Sequence, residues 1–201
     1  MPRDKTANHI KIMAAAREEF MEYGFENASM RRIGERCGMT AAGIYRHCRD
    51  KADLFEQLVA PSVEKLYGWL DAHTTRSVNA VRDGGDLWQD TEIDMMRDLI
   101  YPNMDDYRLL FSKAQGTKYE SFLHDLVEGR QQRMLEFLPD LKNYGYAVKD
   151  IGPRQLHLLL TAYTTAMFEP VIHDYPVEEA LKCLEIVEAV FMPGWKQLMG
   201  F

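Results

Sequence analysis

Residues 29–54, SMRRIGERCGMTAAGIYRHCRDKADL, decide the fold of this chain. Ser29 is a good helix N-cap, and Met30 and Ile33 follow it at helical spacing. Gly38 suits the left-handed conformation that ends a helix. Thr40 is a second N-cap with Ile44 and Tyr45 one turn later, and Asp50 is a third, opening a longer helix with Leu54, Phe55 and Leu58 on its buried side. Two short helices around a glycine turn are what a helix-turn-helix needs to lay its second helix in the DNA major groove.

Upstream, IKIMAAAREEFMEYGFENAS puts Ile12, Met13, Ala16 and Phe20 on one helical face, with Gly24 closing the helix. Together, Phe20, Gly24, Ser29, Ile33, Gly38, Thr40, Tyr45, Lys51 and Leu54 stand in a register that resembles the N-terminal domain of the TetR family of one-component transcriptional regulators. The register covers about a quarter of the chain and is specific, because many spacings agree at once. Three positions depart from it. Cys48 stands where Phe is usual, Arg49 where Pro or a small residue is common, and Ala41 where a basic residue often meets phosphate.

The composition fits a compact all-α protein. Of 201 residues, 46% are hydrophobic and 27% charged, helix formers dominate outside the turns, and period-two alternation is scarce. No stretch has the apolar length of a membrane span, and MPRDKTANHIK lacks the apolar core of a signal peptide, so a cytoplasmic protein is expected. Cys37, Cys48 and Cys183 are odd in number and form no C-x-x-C pair, which favours reduced structural thiols over a redox switch. Nucleophile-elbow, zinc-protease, P-loop and dinucleotide-binding motifs are missing, and the six histidines are scattered, so no enzyme, metal or cofactor is expected.

The net charge of −7 argues against DNA binding until it is divided. Residues 1–51 carry 10 Lys/Arg against 7 Asp/Glu, a balance of +3, and residues 52–201 carry 14 against 24, a balance of −10. Phosphate neutralisation is local, so a basic head on an acidic body binds DNA with an affinity that falls as salt rises. The expected division is a helix-turn-helix domain over 1–51 and an effector-binding and dimerisation domain over 52–201.

About nine helices are expected. Pro61 should kink or break the long helix from Lys51, and TTRSVNAVRDGGD reads as a polar loop. Further helices are expected over about 87–101, 105–114 and 117–138, the last two stopped at Gly116 and Pro139. Pro153 suits the first turn of a helix to about 172, and a last helix runs from Val177 to near Met192, before Pro193-Gly194.

The resemblance implies a DNA surface made of Ser29, Arg31, Arg32, Thr40, Ala41, Ala42, Gly43, Tyr45, Arg46, His47, Arg49 and Lys51. The small Thr40–Gly43 run permits close approach to base edges, Tyr45, His47 and Lys51 suit backbone docking, and Arg46 and Arg49 are the candidates for base contact. It also implies a homodimer through the last two long helices, whose apolar surface is wide: Leu156, Leu160, Tyr163 and Met167 on one, Leu184, Val187 and Phe191 on the other. Finally it implies an effector pocket among the middle helices. Candidates are Trp69, Trp88, Met95, Met96, Phe111, Phe122 and Met134 for an apolar or aromatic small molecule, with Gln115, Arg130, His157, Thr161 and Thr165 as orienting groups. The function implied is a ligand-responsive repressor released from a pseudo-palindromic double-stranded operator by its effector. A helical ligand-binding or partner-binding dimer that has lost specific DNA binding is the alternative.

Overall fold

A computed structural model describes residues 5–83, 85 and 92–201, and throughout these the chain is helical with irregular connections. The elements are α1 (Lys5–Asn27), α2 (Met30–Cys37), α3 (Ala41–Ile44), α4 (Lys51–Arg82), α5 (Glu92–Met95), α6 (Met104–Ser112), α7 (Phe122–Asn143), α8 (Pro153–Ile172) and α9 (Val177–Met199). A π-helical turn over Met96–Ile100 and a 3-10 turn over Tyr101–Asn103 join α5 to α6. Gly24, with φ 71°, breaks α1 near its end where the sequence placed a stop. No described helix is long and apolar enough to cross a membrane.

The chain divides into two compact units. One holds residues 1–64 and 103–120, the other 65–102 and 121–201. The first takes in more than a 1–51 head because α6 is built into it. Asp106, almost buried, accepts from Ser62 Oγ at 2.5 Å and pairs with Arg17, and the buried Tyr107 hydroxyl donates to the Ser62 carbonyl at 2.9 Å. Its core is aromatic at the centre, with Phe20 edge-on to Phe55 at 5.2 Å and Phe25 edge-on to the same ring at 5.6 Å. Ile12, Ile33, Ile44 and Leu54 close around it, each buried.

The second unit packs α7, α8 and α9 over a core of Val81, Val127, Leu138, Leu141, Leu156, Leu160, Trp195 and Met199. Three sequence expectations fail along the chain for local reasons, and a fourth lies partly outside the described residues. The stretch from Thr74 to Arg82 is helix, not loop: Thr74 and Thr75 turn their hydroxyls back onto the Leu70 and Asp71 carbonyls at 2.8 and 2.9 Å, and Val81 is buried. Pro61, Pro139 and Pro193 all lie inside helices (α4, α7 and α9) and all are exposed; each ring costs its helix one hydrogen bond and the helix runs on. The segment 117–121 makes turns, and α7 begins only at Phe122. The helix expected from Leu87 is described only from Glu92, and after one turn it passes into the π turn.

Candidate nucleic-acid interface and effector cavity

The helix-turn-helix is built by its caps and by one close approach. Gly38 ends α2 at φ 68°, its N–H returning to the Glu35 and Gly34 carbonyls. Thr40 caps α3, its hydroxyl accepting from the Gly43 N–H at 3.1 Å. Between them the Met39 N–H bonds the Gly34 carbonyl at 2.8 Å, and a Cβ on Gly34 would stand 2.6 Å from the Met39 carbonyl oxygen. Gly34 is therefore what lets α3 cross so close to α2; with one glycine already read as the turn, the sequence offered no separate signal for it. Ile44 anchors α3 to the core, which leaves Thr40, Ala42, Tyr45 and Arg46 exposed and Ala41, Gly43 and His47 half-buried.

The head's cations divide into two groups. Arg32 donates to the fully buried Glu19 at 2.6 Å, and Arg36 bonds the same carboxylate at 3.3 Å while also pairing with Glu18 and Glu22. The Ser29 backbone N–H completes the cluster at 2.9 Å from Glu19, so Ser29 and Arg32, expected at phosphate, are held by an internal carboxylate. Lys51 is likewise engaged. Its ammonium donates to the carbonyls of Phe25, Glu26 and Ala28 at 2.6, 3.0 and 3.2 Å and lies 4.5 Å from the centre of the Phe25 ring. Burial pushes that ammonium below the ordinary lysine value. Lys51 thus clips the start of α4 to the end of α1, and its register with the family motif reflects that clip as much as any phosphate.

Arg31 and Arg49 are exposed and make only i,i+4 surface pairs, with Glu35 at 3.3 Å and Asp53 at 3.0 Å. Such pairs are weak and open to exchange with another anion. Arg46 is exposed and makes no side-chain ion pair among the described residues. Beside the turn, Asn8 and Lys11 of α1 line a polar groove with Cys37, Gly38, Met39, Thr40 and Gly43. Sequence reasoning did not reach Asn8 and Lys11, because α1 was read only for its buried stripe. Cys48 is buried, and burial raises its thiol above the ordinary cysteine value, which keeps it protonated and unreactive.

In the second unit a cavity runs in two lobes of about 120 and 230 Å³, with His73, Glu92, Arg130, Met134 and Leu160 in the wall of both. Glu92 and Arg130 form a buried bidentate pair at 2.5 and 3.1 Å. Burial works against the Arg130 charge, the Glu92 carboxylate outweighs it, and the guanidinium is held above its ordinary value. Its carbon lies 5.5 Å from the centre of the Tyr163 ring, and burial pushes the Tyr163 hydroxyl far up.

Of the effector candidates, Arg130 and Met134 line this cavity. Met95, Met96 and Phe122 are packed in cores, and Trp69 stacks on His73 at 4.8 Å. His157 bonds Gln131 at 2.8 Å, Thr161 is exposed, and Thr165 is half-buried outside the lining. Phe111 and Gln115 belong to the first unit. Trp88 lies outside the described residues. Phe137, of the same aromatic set, lines it too, and the lining draws further on Leu70 and Trp195 and on two residues expected at the dimer face, Leu160 and Tyr163.

The residues expected at the dimer face lie mostly inside the single chain. Leu156, Leu160, Tyr163, Met167 and Leu184 are buried within the single chain, Phe191 packs on Tyr163 at 5.3 Å, and Val187 is half-buried. The large apolar residues most open to solvent on these helices are Leu158, Ile186 and Val190, at 67, 66 and 69% exposure. An apolar stripe shows that a helix is buried, and does not show on which neighbour.

Residues 12–58 match the family model for bacterial regulatory proteins of the tetR family. Over 60 residues the chain is 37% identical to the HTH-type transcriptional repressor Rv1474c of Mycobacterium tuberculosis, spanning 30% of this chain and 32% of that protein. Over 54 residues it is 41% identical to the HTH-type transcriptional regulator SAUSA300_2515 of Staphylococcus aureus, spanning 27% and 29%. The likeness to these curated relatives thus covers about a third of their length. In fold, the chain is similar to NalD, the secondary repressor of the MexAB-OprM multidrug efflux pump in Pseudomonas aeruginosa. The TM-score is 0.50 at 18% identity, over 92% of this chain and 96% of that one.

Proposed function

We propose, from a head that belongs to the TetR family of bacterial regulatory proteins, that the chain is a dimeric, ligand-responsive transcriptional regulator, a repressor released from its operator by a small molecule. The observation that carries this reading is the capped α2–Gly38–α3 pair, with Ile44 buried beneath it and Thr40, Ala42, Tyr45 and Arg46 exposed on it. α3 enters the major groove, Arg46 reaches a base edge or phosphate, and Asn8, Lys11, Arg31 and Arg49 follow the backbone. Two heads read two half-sites. The dimer forms through the exposed Leu158, Ile186 and Val190 surface of α8 and α9. Ligand and DNA need only favour different conformations of that dimer to oppose one another.

The number of engaged cations supports one other reading, a ligand-binding dimer whose head has lost specific DNA affinity. Arg32, Arg36 and Lys51 are all held by internal acceptors. Selection of a random duplex pool on the full chain separates the two. The regulator enriches an inverted repeat whose half-site centres lie about 34–36 Å, one helical turn, or a multiple of it, apart; a pool that emerges unchanged leaves the second reading.

A further inference from the structure

The charges around the two-lobed cavity do not balance. Glu92 is tied to Arg130 by two hydrogen bonds, so that pair is neutral. Glu188 and Lys196 lie in the second lobe, where the Glu188 carboxyl takes the Ile93 backbone N–H and is raised from its ordinary value by burial and then by the neighbouring Glu92. Arg133, in the first lobe, is left. Its Nη1 lies 3.4 Å from Asp71, whose side chain is 70% exposed, and its Nη2 is buried without a hydrogen-bond partner. A guanidinium does not shed its proton, and a buried N–H without an acceptor is costly.

The first lobe also carries His73, Thr74 and Ser77, and its apolar wall is formed by Leu70, Val78, Met134, Phe137 and Leu160. An apolar cavity of about 150 Å³ takes a benzene ring. The lobes therefore suit a molecule of one or two rings, or a short acyl chain, that carries an acceptor at one end.

We propose that this cavity binds an amphipathic organic acid, its carboxylate hydrogen-bonded to Arg133 and its apolar body lying along Leu70, Met134, Phe137 and Leu160. The proposal rests on the ligand-responsive reading above and narrows the effector to an anion. A primary amine in the first lobe would meet Arg130 and Arg133, and the carboxylate there, Glu92, is already tied to Arg130. A neutral hydrocarbon would leave Nη2 as it is.

The test is calorimetric titration of the full chain, without DNA, with three matched probes: 1-naphthylacetate, its primary amide, and 2-(1-naphthyl)ethylamine. The acid is expected to bind roughly tenfold or more tighter than either, the weight of one charge-assisted hydrogen bond. Arg133→Gln is expected to abolish that preference, with the amide bound as before, and Arg133→Lys to keep part of it. The preference in the unaltered chain does not depend on either variant folding. Equal or tighter binding of the amine, an acid preference that survives Arg133→Gln, or no binding of the acid below millimolar concentration overturns the proposal. Duplex retention, measured separately, isolates the underlying reading. Acid binding without DNA binding sinks the regulator and spares the cavity, and DNA binding without acid binding does the reverse.

Discussion

Arg32 Nε lies 2.6 Å from Oε1 of Glu19, a carboxylate with no solvent exposure, and the same carboxylate holds the Ser29 N–H and Arg36. Glu19 therefore ties α2 to α1. Glu19→Ala would take the buried acceptor shared by Arg32, Arg36 and the Ser29 N–H, leaving Arg36 to Glu18 and Glu22, and is expected to lower stability by about 1–3 kcal/mol. Glu19→Gln, which keeps an acceptor for Ser29, should cost less. Urea denaturation followed by circular dichroism ranks the three proteins, and equal stability of all three would contradict the role given to Glu19.

Gly34 is a second structural requirement of the same motif. A methyl group there meets the Met39 carbonyl at 2.6 Å, and backbone is slow to yield. Gly34→Ala is expected to cost about 1–3 kcal/mol and to displace α3. Denaturation should show the loss, and DNA affinity should fall by more than stability alone explains.

Glu188 gives a pH dependence whose sign is fixed. Its folded value is raised, so its contribution to stability is fully present below the ordinary value of 4.5 and is lost as pH rises through the folded value. Glu188→Gln retains an acceptor for the Ile93 N–H and removes the ionisation. Half-exposure limits the gain to under about 1 kcal/mol. The variant should melt higher than the parent at pH 7 and level with it at pH 4, and a reversed order would refute the assignment.

Ile186 and Val190 are about two-thirds exposed on α9. Ile186→Asp combined with Val190→Asp should convert a dimer to a monomer in equilibrium sedimentation, with helix content unchanged. A change of Leu184, which is buried in the single chain, should instead lower stability. If the double variant still sediments as a dimer, the second copy docks elsewhere.

The head was legible in the sequence because its signals are local. Gly38, Thr40 and the Ile33/Ile44 pair each act within one or two turns, and the structure uses them as read. The prolines misled because a ring inside α4, α7 or α9 costs one hydrogen bond and the helix continues, as it does through the buried Pro170 of α8. The dimer stripe and the effector set were less legible, because periodicity shows that Leu160, Tyr163 or Met95 is buried without naming the neighbour, and cavity and core are lined by the same residue types. The internal hydrogen bonds of Lys51 and Arg32 were not legible because their acceptors, Phe25, Glu26, Ala28 and Glu19, are 13 to 26 residues away in the chain.

The most direct test of the central claim is the salt dependence of binding to a fluorescent duplex of random sequence, read as anisotropy on the full chain from about 50 to 200 mM salt. The account predicts that log affinity falls linearly with log salt, and that Arg46→Ala makes the slope shallower by about 1. Binding that ignores salt, or no binding at the lowest salt, would contradict it.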